Sequence, residues 1–330
     1  MSRWALGVDL GGTAVKVAVI DEKGGVLDHE RHPTHADAGP EGIIGHIASL
    51  GFAMYDRFRD RLGEKLFAGI GLGAPGAVDS RRGILSYPPN LPGWEQYPLK
   101  SRLQRVLADD YSLHCSLILE NDANIAACGE AVFGAGREFD DFMMITLGTG
   151  VGGGIILNRR LYRGSCGTAG EIGYMTVDYR GESVHAGVRG TVESLIGKKR
   201  IVTLGLEIYR ANTLQADSEE FHGRQLCDLS PRTLEKAAKH GDPLAIETWN
   251  KVGAVLGVGL AGVVSLMDIR KFVIGGGISA VGELIFSPAF EQMKASTLPS
   301  MHEGMDIVPA SLGNRAGVFG AAALCFALIE

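Results

Sequence analysis

Three short stretches of this 330-residue chain set glycines and a few polar side chains directly after an apolar run. They are Asp9-Leu10-Gly11-Gly12-Thr13, Leu147-Gly148-Thr149-Gly150-Val151-Gly152-Gly153-Gly154 and Gly275-Gly276-Gly277. Glycine has no Cβ, so its backbone N–H can approach an anion closely. A threonine hydroxyl adds a donor, and Asp9 is suited to holding Mg2+ through water. None of the three has the spacing of the P-loop. One such stretch alone is usually only a tight turn. Three together point to the phosphate tail of a nucleotide, gripped between two lobes.

Such turns need strands to carry them. Leu6–Leu10 reads as a short strand that breaks at Gly11-Gly12-Thr13 and resumes over Val15–Ile20. Asp21–Gly25 is a turn, and Val26-Leu27 opens a third strand. Ile43, Ile44, Ile47, Leu50, Met54 and Phe58 give Gly42–Leu62 the spacing of a helix. Ala68–Ala74 is a buried strand ending at Pro75-Gly76. Ser116–Glu120 is another, followed by a helix over 123–132. Phe142–Leu147 and Ile155–Asn158 then repeat the opening hairpin. Laying Asp9 on Thr146 puts Gly11 on Gly148, Val19 on Ile156 and Asp21 on Asn158. A unit that occurs twice suggests two lobes built alike, although hairpins with glycine turns are common. The second half is helical from Thr191 to Met267, with a polar interruption near Gln215–Gln225. Lys271–Ile278 runs from strand through glycine turn into helix. Asp306–Ala310 is a last strand and Ala316–Ile329 a last helix.

Composition narrows the classes. Apolar residues make up 45% and charged residues 21%, a globular balance. A net charge of −6 argues against coating nucleic acid or anionic membrane, so neither partner is expected. The one dense basic cluster, Lys198-Lys199-Arg200, reads as a solvated helix end. The five cysteines, Cys115, Cys128, Cys166, Cys227 and Cys325, are odd in number and lack a Cys-x-x-Cys spacing. A reducing, cytoplasmic setting fits them better than a disulfide framework. No apolar signal core precedes Asp9. The apolar, Gly-rich stretch Val252–Met267 reads as a buried helix, too short to span a bilayer.

The order of motifs resembles the ROK family of repressors, open reading frames and sugar kinases, over nearly the whole chain. After the first phosphate turn come Gly73-Ala74-Pro75-Gly76, Asn90-Leu91-Pro92-Gly93-Trp94 and Glu120-Asn121-Asp122-Ala123-Asn124. The second turn follows, then Gly170-Glu171-Ile172-Gly173, Gly187-Val188-Arg189-Gly190 with Glu193, the Gly275–Gly277 stretch, and Gly313-Asn314-Arg315-Ala316-Gly317. The resemblance implies an α/β fold of the actin-like ATPase (ribonuclease H-like) type, two-lobed, with ATP and sugar in the interlobe cleft. The expected lobes are 1–120, completed by a C-terminal helix at about 314–330, and 121–313. Asp122 matches the family's catalytic base, which takes the proton of a sugar 6-hydroxyl. An Asn-Asp pair alone is a frequent turn former, so the surrounding motif carries that assignment. Gly76, Asn90, Asn121, Glu171, Tyr174 and Glu193 match sugar-side positions. Asp9, Gly11, Gly12, Thr13, Lys16, Gly148, Thr149, Gly150, Gly275, Gly276 and Gly277 match the ATP side. Trp94 is open to two readings, a stack on the sugar face or a hinge or core residue.

One departure is large. The family's structural zinc is held by one His and three Cys, and those positions read Tyr174, Val184, Ala186 and Thr191 here. Losing all four ligands implies no structural zinc and a loop that replaces metal with packing. Tyr174 then either points into the cleft, where its O–H replaces one imidazole hydrogen bond to the sugar, or turns away and fills the vacated volume, the option favoured by the apolar Val184 and Ala186; His185, without co-ligands for a metal, reads as a loop histidine. The expected activity is ATP- and Mg2+-dependent phosphorylation of a hexose, glucose first, with N-acetylmannosamine or another N-acetylhexosamine behind it. Polyphosphate is a possible alternative donor in some relatives, and a homodimer is the family expectation. Two other classes compete. A repressor carries a helix-turn-helix before its first phosphate turn, and too few residues precede Asp9 for one. A non-catalytic sugar-binding regulator is disfavoured by the presence of Asp9, Thr13 and Asp122.

Overall fold

The computed structural model describes residues 2–89, 91–212, 220–221, 224–225 and 228–329. Asn90, Cys227 and most of the polar interruption at 215–225 therefore lie outside the described residues. The chain opens with strands β1 (Trp4–Leu10), β2 (Ala14–Asp21) and β3 (Val26–Pro33), then helix α1 (Gly39–Leu62) and strand β4 (Phe67–Ala74). A short hairpin, β5 (Ala77–Asp79) and β6 (Ile84–Ser86), precedes α2 (Leu99–Tyr111), β7 (Leu117–Asn121) and α3 (Asp122–Phe133). Strands β8 (Phe142–Leu147), β9 (Val151–Leu157) and β10 (Arg160–Tyr162) follow, then the hairpin β11 (Val184–His185) and β12 (Val188–Arg189). Helices α4 (Val192–Ile196) and α5 (Lys198–Asn212) lead to the pair β13 (Glu220–Phe221) and β14 (Arg224–Gln225). The chain closes with α6 (Pro231–Lys239), α7 (Pro243–Met267), β15 (Lys271–Gly275), α8 (Glu283–Ala295), β16 (Asp306–Pro309) and α9 (Ala316–Cys325).

The two large sheets share one plan. The first has the order β3-β2-β1-β4-β7 and the second β10-β9-β8-β15-β16. In the first, β1–β2 and β2–β3 are antiparallel while β1–β4 and β4–β7 are parallel. In the second, β9–β10 is antiparallel and β15–β16 parallel. The repeat seen in the two hairpins thus extends to whole sheets.

Two compact units result: 1–144 with 154–170 and 310–330, and 145–153 with 171–309. The boundary expected after residue 120 falls elsewhere, because α3 packs on α9 and belongs with the first unit. A Cβ on Gly320 would lie 1.6 Å from the Ile125 carbonyl oxygen, and one on Gly129 2.4 Å from that of Ala316. The backbones of the two helices therefore touch, which larger residues would forbid. Helix α9 lies as close to the first sheet: a Cβ on Gly7 would sit 2.0 Å from the Val318 oxygen, and one on Gly71 2.0 Å from that of Ala321. Across the rest of this unit, Trp4, Leu6, Val8, Ile43, Ile44, Ile47, Leu103 and Leu119 pack α1 and α2 on the sheet. Trp94 belongs to that core. It is 1% exposed with its ring 5.1 Å from Tyr97, which excludes the stacking role.

In the second unit the apolar stretch read as too short is part of a 25-residue helix. By length and composition α7 is long enough to cross a membrane, so the length expectation is corrected. Trp249, Val252, Leu256, Leu260 and Val264 are buried along it, and a Cβ on Gly257 would meet the Ala289 oxygen of α8 at 2.4 Å. This is the burial pattern of a core helix. Lys198-Lys199-Arg200 forms the first turn of α5, where Arg200 pairs with Glu207.

Candidate functional site

In the first unit, β1 and β2 are joined by Gly11-Gly12-Thr13, closed by Gly11 N–H donating to the Ala14 oxygen at 3.0 Å. Thr34 braces the turn, donating its hydroxyl to the Gly11 oxygen at 2.6 Å and its N–H to the Thr13 oxygen at 3.1 Å. Asp9 and Lys16 are cross-strand neighbours, and Lys16 Nζ donates to Asp9 Oδ2 at 2.8 Å. Helix α9 comes up against this pair: a Cβ on Gly317 would lie 2.9 Å from Asp9 Cγ. The Gly313–Gly317 motif thus serves the same turn from the far end of the chain.

Strand β7 delivers Asn121 and Asp122 to the start of α3. Asn121 is the N-cap, its Oδ1 accepting from Ala123 N–H at 2.8 Å and Asn124 N–H at 3.2 Å. Its Nδ2 donates to the Gly76 oxygen at 3.0 Å. Three of the four hydrogen-bonding places on this amide are therefore structural, and one N–H is left over. Gly76 has φ 92°, and a Cβ there would lie 2.7 Å from Pro88 Cα, so only glycine suits the position. Asp122 is exposed on the first turn of α3, with Oδ1 accepting from Ala123 N–H at 2.9 Å. A carboxylate at a helix N-terminus is favoured by the dipole.

Glu120, at the head of the Glu120–Asn124 motif, is the buried hub behind these residues. It is 1% exposed and accepts from Ser80, Arg163, Asn121 N–H and Asn124 Nδ2 at 3.0, 2.7, 2.9 and 3.0 Å. The contact with Arg163, 43 residues away, has no sequence signal. Glu130, 0% exposed, does a similar job at the other end of α3. It accepts from Ala135, Ser311 and Leu312 N–H and from the Ser311 hydroxyl at 2.7 to 3.2 Å.

In the second unit, the turn between β8 and β9 is closed by Gly148 N–H donating to the Gly150 oxygen at 2.9 Å. The Gly275–Gly277 stretch is tied to it: Ile278 N–H donates to the Leu147 oxygen at 3.0 Å, and a Cβ on Gly276 would lie 2.2 Å from that oxygen. Two of the three glycine stretches are thus brought together. Gly148 and Gly277 differ from their neighbours. Neither has a positive φ, and a Cβ on either would meet nothing within 4 Å among the described residues. The fold makes no demand for glycine there, so the open space is available to a ligand.

Glu193, on α4, accepts from Val151 N–H with Oε2 at 2.7 Å. Its Oε1 lies 2.9 Å from His185 Nε2. His185, read as a loop histidine, thus has a carboxylate partner. Tyr174 departs from the favoured option. It is 43% exposed, with its ring 5.5 Å from that of His185. Val184 is 54% exposed and Ala186 is exposed at φ 46°. Among the described residues, Val184 and Ala186 therefore form no packed apolar plug. They lie instead in a β11–β12 hairpin whose two turn residues, Ala186 and Gly187, both have positive φ. Thr191 is buried and caps α4, accepting from Ser194 N–H at 3.1 Å. Among the described residues no group of three or more His, Cys, Asp or Glu could hold a metal ion. Desolvation, then the charge of Glu193, raises the Glu171 carboxyl above its usual range. Desolvation and both carboxylates raise the Tyr174 phenol.

Two sheets of one plan, each with a glycine turn beside acidic side chains, define a fold of the actin-like ATPase type. The chain belongs to the ROK family, whose pattern matches residues 5–327. It is 36% identical to a glucokinase of Halalkalibacterium halodurans over 323 residues, 96% of this chain and 93% of the relative. It is 34% identical to a glucokinase of Streptomyces coelicolor over 97% of this chain and 96% of that one. The structure resembles that of a ROK family glucokinase from Streptomyces griseus in complex with glucose and AMPPNP. The TM-score is 0.77 at 33% identity, covering 97% of this chain and 98% of that one.

Proposed function

We propose that this chain transfers the γ-phosphoryl group of ATP to the 6-hydroxyl of a hexose, with glucose as the leading substrate and Asp122 as general base. The observation that carries this reading is the setting of Asp122. Its carboxylate is exposed on the first turn of α3, while Glu120 and the Asn121 cap fix the backbone beneath it. A sugar hydroxyl is a poor nucleophile, and a carboxylate within hydrogen-bond reach contributes about 10²–10⁴-fold. The rest comes from positioning and from neutralising charge on the phosphoryl group.

Lys16 brings a cation to the first phosphate turn, and Gly148 and Gly277 leave room for phosphate oxygens at the second. Mg2+ fits Asp9. One of its oxygens accepts from Lys16 and the other is left for a metal-bound water, as suits an ion that keeps much of its hydration. When bound with ATP the ion neutralises charge on the phosphates. Glu171, Glu193 and the remaining Asn121 N–H take the ring hydroxyls. Cys115, Cys128, Cys166 and Cys325 are free, which agrees with a cytoplasmic enzyme, and a homodimer is its expected assembly.

ADP release measured across glucose, mannose, N-acetylmannosamine and N-acetylglucosamine tests the proposal. Hexose-dependent ADP with the highest kcat/KM for glucose is expected. ATP turnover indifferent to every sugar would sink it.

A further inference from the structure

Glu193 has two tasks, and they compete for one carboxylate. Its Oε2 is committed to Val151 N–H at 2.7 Å, directly after the second phosphate turn. The fit there is tight: a Cβ on Gly150 would lie 2.4 Å from that oxygen, and one on Gly173 3.3 Å from it. A carboxylate held by one oxygen still has a χ rotation that swings the other. To accept from a sugar hydroxyl, Oε1 must be held as well.

The β11–β12 hairpin supplies the restraint. Successive side chains of a strand point to opposite faces. Val184 is 54% exposed, while His185 next to it places Nε2 2.9 Å from Glu193 Oε1 and its ring 5.5 Å from that of Tyr174. The base of the hairpin is anchored by backbone contacts. Gly190 has φ 62°, and a Cβ there would lie 1.7 Å from the Asp178 oxygen. The Gly190 oxygen accepts from Val177 and Asp178 N–H at 2.9 and 3.1 Å. Thr191 then caps α4 one residue before Val192 and two before Glu193.

We propose that His185 is a positioning residue for hexose recognition: it fixes the free oxygen of Glu193 and, with Tyr174, walls the carboxylate pair Glu171 and Glu193. This rests on the hexose kinase reading above. In this chain the restraint comes from a histidine on the first strand of the hairpin. Because Oε2 keeps its own partner, losing His185 disturbs the sugar side and leaves the phosphate turn closed.

The test compares wild type with His185→Ala and His185→Gln, reading hexose KM, ATP KM, calorimetric hexose binding and Tm. For His185→Ala, hexose KM and the hexose Kd should both rise about tenfold, as expected when an orienting contact to a ligand group is lost. ATP KM should stay within about twofold, since the Val151 contact is untouched. Gln carries an N–H at the end of a side chain of similar reach, so His185→Gln should recover hexose affinity. An unchanged hexose Kd in His185→Ala would overturn the proposal, whether or not Tm falls. So would a His185→Gln variant as weak as the alanine. A wild type that neither binds nor phosphorylates any hexose would sink the functional reading as well. An active wild type with an indifferent His185→Ala sinks this inference alone.

Discussion

At the turn between β1 and β2, Asp9 and Lys16 face each other across the strands. At the matching places of the turn between β8 and β9 stand Thr146 and Gly153. The first turn closes from Gly11 to Ala14. The second closes one residue sooner, from Gly148 to Gly150, and its Val151 N–H goes to Glu193, 42 residues away. One backbone device is thus loaded in two ways. The first turn carries its charges within its own strands, whereas the second imports a carboxylate from α4. Importing it ties the second turn to the segment that carries the β11–β12 hairpin and α4.

The sharpest break of that comparison is Asp122→Asn. Turnover should fall at least about 10²-fold with hexose binding largely kept. Binding lost together with turnover would move Asp122 from catalysis to recognition. The next effect separates two glycines of the second turn. Gly150→Ala forces a methyl into Glu193 Oε2 and should cost about 1–3 kcal/mol of stability, read by denaturant unfolding. Gly148→Ala meets nothing and should leave stability within about 0.5 kcal/mol while raising ATP KM. Equal losses of stability in the two would mean that Gly148 serves the fold.

Smaller effects test the diverged loop. Tyr174→Ala should cost about 1 kcal/mol, well below a buried aromatic truncation, since the ring is 43% exposed. Ala186→Gly should stabilise by about 0.5–1 kcal/mol by relieving the φ of 46°; a loss in chemical denaturation would show that the hairpin turn is otherwise set. The smallest concerns Glu171. Its folded-state pKa lies above the ordinary 4.5, so the folded chain holds that proton more tightly than the unfolded one. The associated stability is full below about pH 4.5 and is lost as pH rises through the folded-state value. Glu171→Gln should therefore raise Tm at pH 7, with the gain vanishing below about pH 4.

Much of this was legible in residue patterns. The strands behind both glycine turns, the repeat, and the start of α3 after Glu120-Asn121 follow from local apolar runs and turn residues. The placement of α3 with α9 was not legible, because Gly129 and Gly320 look like ordinary helical glycines until their backbones touch. Nor was the spending of Asn121 on a cap, which needs the Gly76 carbonyl beside it. The loop misled for a physical reason. Apolar residues at former ligand positions suggest packing, but the hairpin turns Val184 outward and His185 toward Glu193, an alternation visible only once the pairing of Val184 with Arg189 is known.

The most direct test of the account is the product itself. Wild-type protein incubated with ATP, Mg2+ and glucose, followed by phosphorus NMR, should give one phosphate monoester at the 6-position for each ADP formed, and Asp122→Asn should give almost none. ADP formed without a sugar ester, an ester at another carbon, or full product from Asp122→Asn would contradict it.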